Sequence, residues 1–375
     1  MFSTRGPGPA KEADPRFDAN RSMSPISAIS TGPAWWSVPP DGESCGHAVR
    51  LVREAENPPG NAPGMRAAAV RSFRAPVELL ELPVPSPGPN EVAVRLEAAG
   101  MNPFDWKIAD GALEGRRPHV FPLVLGVDGC GVVERVGEKA KRFRVGTRVA
   151  GSFLHDPVGV GTYAEHTVAP ETNALAEVPP GVEPGAAAAL PTAGLAALDA
   201  IERLGLSEGR KLLIVGASGG VGSFAIQLAR SRGASVVVAA RPASHARLRS
   251  LGASGAIAPE AWDSAKVEQL AGPAGFDGLL DLVSDSQQFA RWARWLRPGA
   301  VAATTVGATD PGRGVRRVAI DMRPSSRGVE ELLAEVVRGT LVVPVERTIS
   351  LDEVPQAVGE SRAGRASGKT VIALG

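Results

Sequence analysis

Residues Lys211–Ala234, KLLIVGASGGVGSFAIQLARSRGA, decide the fold of this chain. The apolar run KLLIV predicts a buried strand, and the glycine-rich stretch after it predicts a tight turn that opens an amphipathic helix. Glycines there let the backbone approach a pyrophosphate, and the start of the helix offers free N–H groups and partial positive charge. The stretch therefore predicts a dinucleotide-binding turn, although Ala217 replaces the first glycine of the usual GxGxxG pattern. The alternative is a turn that serves only strand–helix packing. The predicted binding residues are Ala217, Ser218, Gly219, Gly220, Val221 and Gly222.

Strands and helices alternate on both sides of this turn, from about Gly185 to Val306. The alternation predicts right-handed βαβ units in a doubly wound, Rossmann-type parallel sheet, which places the chain in the α/β class. Between Met65 and about Glu177, short apolar runs separated by Gly and Pro predict a small, bent antiparallel barrel. We expect a barrel domain over 65–188 with 318–375, and a dinucleotide domain over 189–317.

Residues 1–64 differ in composition from the rest, since they contain ten prolines and no sustained apolar period. Such a segment cannot bury enough apolar surface to offset its ordering entropy. We interpret it as a disordered extension, or as the result of a misassigned start with Met65 as the true first residue. A folded third domain is the alternative, and Trp35 and Trp36 are the best argument for some docking.

The residues after the second strand of the predicted sheet indicate the choice of cofactor. SVVVAA ends at Arg241, Ser244 and Arg247 follow, and no carboxylate occurs between Ser235 and Leu251. An NAD enzyme would place Asp or Glu there to accept from the ribose 2′-hydroxyl, whereas a guanidinium and a hydroxyl suit a 2′-phosphate. The pattern favours NADPH. The alternative is that the two arginines only solvate a helix start.

Composition excludes several classes of function. The 41 basic and 40 acidic side chains give a net charge of +1, which provides no electrostatic footprint for nucleic acid or anionic lipid. No stretch approaches a membrane-spanning length of apolar residues, and we find no secretory signal. The two cysteines, Cys45 and Cys130, fit a reducing cytoplasm, and no Cys-x-x-Cys motif or His–Cys cluster offers a zinc site.

The segment GMNPFDWKIADG carries the candidates on the substrate side. Pro103 should hold Asn102 extended, and Asp105 and Lys107 cannot share one helix face, so only one of the two can point into a cleft with Asn102. Lys107 could donate to a carbonyl oxygen that gains charge, or it could be an ordinary solvated lysine. Tyr163 could be a phenolic acid, but we interpret it as a packed residue whose hydroxyl is satisfied.

Several sequence blocks in order resemble the medium-chain dehydrogenase/reductase superfamily, specifically its zinc-free quinone oxidoreductase branch. The resemblance runs from Met65 to Gly375. It is carried by the blocks MRAAAVRSF, EVAVRLEAAGMNPFDWK, FPLVLGVDGCGVVERVG, GTYAEH, AAALPTAGLAAL, VGASGGVGSFAIQLAR and GRASGKTVIAL. Zinc alcohol dehydrogenases of the superfamily have a cysteine where this chain has Asn102, and a His-Glu pair where it has Val127-Asp128.

The resemblance implies a GroES-like barrel domain beside the Rossmann domain, with NADPH in the cleft between them. It matches Asn102 and Asp105 to the NPxD block, Lys107 to a lysine of some enone reductases, and Arg241 to the 2′-phosphate position. It places Pro191, Thr192 and Gly194 close to the nicotinamide, and Val306 and Gly307 in a loop that covers it. Phe104 and Trp106 stand where several quinone reductases have tyrosines, so the substrates of those relatives need not transfer.

The implied activity is hydride transfer from NADPH to a quinone or α,β-unsaturated carbonyl compound without a metal ion. Two alternatives stay open: a carbonyl reductase that makes alcohols, and a non-catalytic NADPH-binding protein. The expected partner is a small-molecule substrate, with no nucleic acid and no membrane. Similar enzymes are commonly homodimers, which is an analogy only.

Overall fold

Two β-structures lie side by side in the computed structural model, which describes residues 64–305, 314–320, 322–366 and 368–375. The proposed extension therefore lies outside the described residues, apart from Gly64, which begins the first strand. All described residues belong to one compact unit. None of the helices in the described part of the chain is long and apolar enough to cross a membrane.

The barrel part is a largely antiparallel array of strands, with one short helix between β3 and β4. Seven strands form its main sheet in the order β15-β16-β3-β5-β6-β8 with β7 paired to β3, and β2-β1-β4 form a smaller sheet. The helix, α1, runs over Pro103–Ala109 and begins at a proline, which suits a first helical position because no N–H is needed there. The strands are β1 Gly64–Val70, β2 Glu78–Pro83, β3 Glu91–Gly100, β4 Leu123–Val124, β5 Asp128–Val136, β6 Arg148–Ser152, β7 His166–Pro170, β8 Leu175–Glu177, β15 Val345–Ile349 and β16 Lys369–Ala373.

The second part is a six-stranded, fully parallel sheet in the order β11-β10-β9-β12-β13-β14. Its central strands are nearly continuous apolar runs because helices cover both faces. The strands are β9 Lys211–Val215, β10 Ser235–Ala239, β11 Gly255–Ile257, β12 Phe276–Asp281, β13 Leu296–Thr304 and β14 Arg316–Ala319. The helices after α1 are α2 Pro184–Ala189, α3 Pro191–Leu204, α4 Gly220–Ser231, α5 His245–Ser250, α6 Ala265–Ala271, α7 Ser286–Ala293, α8 Ser326–Val337 and α9 Val354–Arg362. Of these, α2 packs on the barrel strands β3, β5 and β16, and α9 packs in the barrel core beside α1.

The strand order fixes where a ligand can bind. Strand β10 lies on one side of β9 and β12 lies on the other, so the connections leave in opposite directions at the carboxyl end of β9. That end is the topological switch point, where open α/β sheets form their ligand crevice. The predicted α/β class, with a doubly wound Rossmann sheet and a GroES-like barrel, is confirmed.

The C-terminal segment returns the chain to the barrel. Strand β16 pairs antiparallel with β3, with Val371 opposite Gly100, and β15 pairs parallel with β16. This return brings the start of β16 next to the glycine-rich turn, where Gly368 forms a bridge with Gly219. The two parts of the molecule thus meet at the switch point. The domain boundaries given above stay predictions.

Candidate active site

A cavity of about 490 Å³ lies between the glycine-rich turn and the barrel. The turn and the start of α4 form one wall, and the opposite wall comes from the residues around Asn102 and from the return strands β15 and β16. Glu360 and Ser361 of α9 contribute to its rim. The cavity therefore occupies the crevice that the strand order predicts.

The glycines of the turn fall into two groups by what surrounds them. Gly216 has φ +80°, and a Cβ on Gly222 would lie 2.5 Å from the Cα of Ala217, so strand–helix packing itself requires these two glycines. A Cβ on Gly219, by contrast, would meet nothing closer than the carbonyl oxygen of Gly216 at 3.8 Å. Gly219 lines the cavity. Packing leaves this position open, which suits the close approach of a ligand to the backbone.

Positive electrostatic features meet at this wall. Helix α4 begins at Gly220, so its first N–H groups and the positive end of its dipole lie at the cavity. The aliphatic stem of Lys369 packs on Gly220, where a Cβ would lie 2.8 Å from Cδ of the lysine. A helix N-terminus beside a buried cation attracts anions. The turn residues therefore fit a pyrophosphate.

The residues predicted to hold a 2′-phosphate do not all point to the same place. Arg241 follows β10 and is exposed, and its side chain makes no hydrogen bond or ion pair within the part of the chain that the structure covers. Ser244 is half-buried and donates its backbone N–H to the carbonyl of Arg241. Arg247 instead points to the turn. Its Nη2 donates to the Ser218 carbonyl at 2.9 Å, and its Nη1 donates to Ser223 Oγ at 3.1 Å. Arg241 is thus the guanidinium available at the end of β10.

Asn102 is the centre of a buried polar network. Its Nδ2 donates to Asp128 Oδ2 at 2.8 Å, and Asp128 also accepts from the backbone N–H and the hydroxyl of Thr192 at 2.9 and 2.7 Å. Burial raises the pKa of Asp128, and the nearby Lys369 ammonium opposes that shift. The side-chain N–H groups of Asn102 face Asp128 and, at 3.4 Å, the Gly100 carbonyl. The network brings the predicted residues Asn102 and Thr192 together, but it turns the Asn102 amide donors away from a substrate oxygen.

Asp105 fixes the start of α1. Its carboxylate accepts from Tyr163 Oη at 2.6 Å, from the backbone N–H of Asn102 at 2.7 Å and from that of Val127 at 3.1 Å. Burial, opposed in part by these hydrogen bonds, raises the pKa of Asp105 to about 7. Tyr163 is fully buried, as we interpreted it, and its hydroxyl is satisfied. Asp105 is the helix residue that faces inward with Asn102.

The prediction of Lys107 as a cleft donor is wrong, because helix phase places this side chain on the outer face of α1. Lys107 is exposed, and its ammonium lies 5.7 Å from the ring centroid of Trp106. Only one of Asp105 and Lys107 can face inward, and the structure selects Asp105.

Lys369 is the lysine that the structure places at the cavity, and sequence reasoning missed it. It is 2% exposed, and its Nζ donates to Asn102 Oδ1 at 2.9 Å and to the Met101 carbonyl at 3.1 Å. Burial lowers the pKa of Lys369, and the carboxylates of Asp128 and Asp105 oppose that shift. An ammonium has three N–H donors, so one remains beyond these two acceptors.

The remaining predicted residues are less informative. Gly194 packs against Leu332 of α8, where a Cβ would lie 2.7 Å from Leu332 Cδ1. Pro191 begins α3 and is buried. Val306 and Gly307 lie outside the described residues. Over the stretches that the structure describes, no group of three or more His, Cys, Asp or Glu side chains could hold a metal ion.

Comparisons with known proteins agree with this architecture. Residues 88–180 match the alcohol dehydrogenase GroES-like domain, and residues 220–325 match the model described as zinc-binding dehydrogenase. The chain is 32% identical to a 2-methylene-furan-3-one reductase of Solanum lycopersicum, over 77% of this chain and 73% of that protein. It is also 32% identical to the human mitochondrial NAD(P)H oxidoreductase RTN4IP1, over 76% of this chain and 82% of that protein.

A solved structure gives the same result for the fold. The quinone oxidoreductase from Coxiella burnetii superposes with a TM-score of 0.72 at 25% identity, covering 83% of this chain and 99% of that one. The chain belongs to the medium-chain dehydrogenase/reductase superfamily, in its zinc-free quinone oxidoreductase branch, and is an oxidoreductase that uses a nicotinamide cofactor.

Proposed function

We propose that this oxidoreductase uses NADPH, without a metal ion, to reduce a quinone or an α,β-unsaturated carbonyl compound. The observation that carries the proposal is the turn at Gly216–Gly222, where Gly219 is open to the cavity and α4 begins at its wall. The substrate class rests on the relatives of this chain, which include a quinone oxidoreductase and a 2-methylene-furan-3-one reductase.

The preference for NADPH over NADH rests on the end of β10. An exposed Arg241 supplies a guanidinium there, and the segment from Ser235 to Leu251 contains no carboxylate that would repel a 2′-phosphate or bind a 2′-hydroxyl. Arg247 supports the turn rather than this site, since its guanidinium is held by Ser218 and Ser223. We therefore assign the 2′-phosphate to Arg241, with Ser244 beside it.

When bound, the nicotinamide supplies the hydride. A carbonyl or quinone acceptor gains negative charge on oxygen as it is reduced, and preorganised donors in a site of low dielectric stabilise that charge. Lys369 is the buried amine donor at the cavity wall. Burial lowers its pKa, and the carboxylates of Asp128 and Asp105 oppose that shift. Asn102 acts as the acceptor that orients the Lys369 ammonium, while Asp128 and Thr192 fix the Asn102 amide.

The test is NADPH oxidation with a panel of enones, quinones and aldehydes, with NADH as the paired control and product analysis by mass. We expect turnover with enones or quinones, saturated ketones or hydroquinones as products, and no loss after dialysis against a chelator. Alcohol products alone would favour the carbonyl reductase alternative. Tight NADPH binding with no turnover on any compound would contradict the enzymatic proposal and favour a non-catalytic binding protein.

Two further expectations belong to the proposal. Homodimer formation, proposed by analogy, is tested by size-exclusion chromatography with light scattering. The cytoplasmic location stays a prediction, and the human relative above is named as mitochondrial.

A further inference from the structure

An ion pair joins the two parts of the molecule at the glycine-rich turn. Arg247 of α5 forms an ion pair with Glu346 of β15, with its Nε 2.6 Å from Glu346 Oε1. The same guanidinium holds the Ser218 carbonyl and Ser223 Oγ through its other two nitrogens. All three of its nitrogens are therefore engaged, and Glu346 is its only carboxylate partner among the contacts that the structure describes.

Glu346 is held in place over the turn by the backbone around it. Gly368 has φ +63°, and a Cβ on it would lie 2.2 Å from the carboxyl carbon of Glu346. Gly368 also donates its N–H to the Ser218 carbonyl at 3.2 Å, the same carbonyl that Arg247 contacts. Glu346 lines the cavity beside Gly219 and Gly220. A carboxylate thus stands at the wall where the turn and the start of α4 would receive a phosphate.

The negative charge of Glu346 opposes the positive potential of the rest of the cavity wall. The N-terminus of α4 and Lys369 favour an anion, whereas Glu346 repels one and occupies the guanidinium nearest the turn. The side chains of Arg247 and Glu346 are 24% and 28% exposed, so the pair is screened only in part and can exchange partners.

We propose that Glu346 sets nucleotide affinity by competing with a phosphate group of the cofactor for the Arg247 guanidinium. The proposal rests on the proposed function, because it requires a nucleotide at the turn. The phosphate in question is the pyrophosphate, which NADPH and NADH share, because Arg247 lies at the turn and the 2′-phosphate is assigned to Arg241. Removing the Glu346 charge should free Arg247 to bind phosphate and tighten nucleotide binding.

The experiment measures the Kd of NADPH and NADH by fluorescence titration for the wild type, Glu346→Gln, Arg247→Met and the double variant. Glu134→Gln is the matched control, since Glu134 also pairs with an arginine, Arg95, but does not line the cavity. Glu346→Gln should bind about three- to tenfold tighter, while Glu134→Gln changes affinity by less than about twofold. The double variant should be no tighter than the wild type. NADPH and NADH should gain equally, and a gain for NADPH alone would contradict the pyrophosphate as the competing group.

Several results would overturn the proposal. The first is unchanged or weaker nucleotide binding by Glu346→Gln. The second is a double variant that binds as tightly as Glu346→Gln, because the gain would then come only from removing the repulsion between Glu346 and the phosphate. If Arg247→Met fails to fold, equal gains for Glu346→Gln and Glu134→Gln would overturn it instead. If the wild type binds nucleotide but Glu346→Gln does not differ, only this inference fails. If no folded protein binds either nucleotide, the proposed function fails and the inference fails with it.

Discussion

Replacing Gly219 by alanine separates ligand binding from folding at the glycine-rich turn. Gly219 has φ −80° and ψ 175°, which alanine adopts without strain, and the added Cβ would lie no closer than 3.8 Å to another heavy atom. Alanine is a poorer N-cap than glycine, but it also restricts the unfolded chain, and these effects oppose each other at roughly 0.4–1 kcal/mol each. The free energy of unfolding should therefore change by less than about 1 kcal/mol.

Nucleotide binding should respond much more strongly to the same methyl group. Gly219 lines the cavity, so the methyl occupies space that a pyrophosphate needs in order to reach the N–H groups at the start of α4. Loss of one charge-assisted hydrogen bond costs roughly 1.5–3 kcal/mol, which is about a ten- to hundredfold increase in Kd. The assay is titration with NADPH, paired with thermal unfolding of the same samples.

Gly222→Ala provides the contrast for this prediction. Its Cβ would lie 2.5 Å from the backbone of Ala217, so the helix must shift, and unfolding should become easier by about 1–3 kcal/mol. Wild-type affinity in Gly219→Ala would refute the assignment of the turn as the pyrophosphate site. A large loss of stability in Gly219→Ala would refute the geometric reasoning instead.

Three further predictions test other parts of the site. Arg241→Ala should weaken NADPH binding about tenfold and change the affinity for NADH by less than about twofold, because an exposed guanidinium contributes roughly one charge-assisted contact. Equal losses of affinity for the two nucleotides in paired titrations would refute the 2′-phosphate assignment. Lys369→Met should weaken NADPH at least about tenfold and lower kcat, with partial recovery in Lys369→Arg, because Asn102 Oδ1 loses its donor; steady-state kinetics with unchanged kcat would contradict its role in the cavity. Asp105 has a folded pKa of about 7, above its ordinary 3.8, so the folded chain holds a proton that the unfolded chain releases between about pH 4 and 7. The free energy of unfolding of the wild type should therefore fall, relative to that of Asp105→Asn, as the pH rises from about 4 to about 7. A difference in unfolding free energy that does not change with pH would contradict the raised pKa.

The sequence identified the features that depend on local pattern. The turn, with β9, β10 and the helix between them, follows from an apolar run, glycines and helical spacing within a short stretch, and β9 has the predicted bounds Lys211–Val215. Helix α1 likewise begins at Pro103 as its proline predicts. Nearest-neighbour sterics and burial periodicity determine such elements, so they can be predicted without knowledge of the tertiary fold.

Contacts between distant segments could not be predicted in the same way. Lys369 reaches Asn102, 267 positions away, only because β16 pairs with β3. The Arg247–Glu346 pair depends on the same return of the chain to the barrel. Lys107 was misplaced for a related reason, since spacing shows that Asp105 and Lys107 face apart but packing decides which one faces inward.

Three strands after the glycine-rich turn were missed for different physical reasons. Strand β11 spans only Gly255–Ile257, which is too short to show an apolar run. Strand β14 has the sequence RRVA and is largely exposed, so no apolar run signals it. Strand β15, VERTI, alternates between more and less buried residues, and this period-two pattern could have been recognised.

Calorimetric titration of the wild-type protein with NADPH and, separately, with NADH measures directly whether the cavity binds a nicotinamide nucleotide and prefers the 2′-phosphate. We expect one NADPH site per chain and binding at least about tenfold tighter than NADH, because one guanidinium contacts the 2′-phosphate. Equal affinities would contradict the NADPH preference, and no heat of binding with either nucleotide would contradict the whole assignment of the cavity.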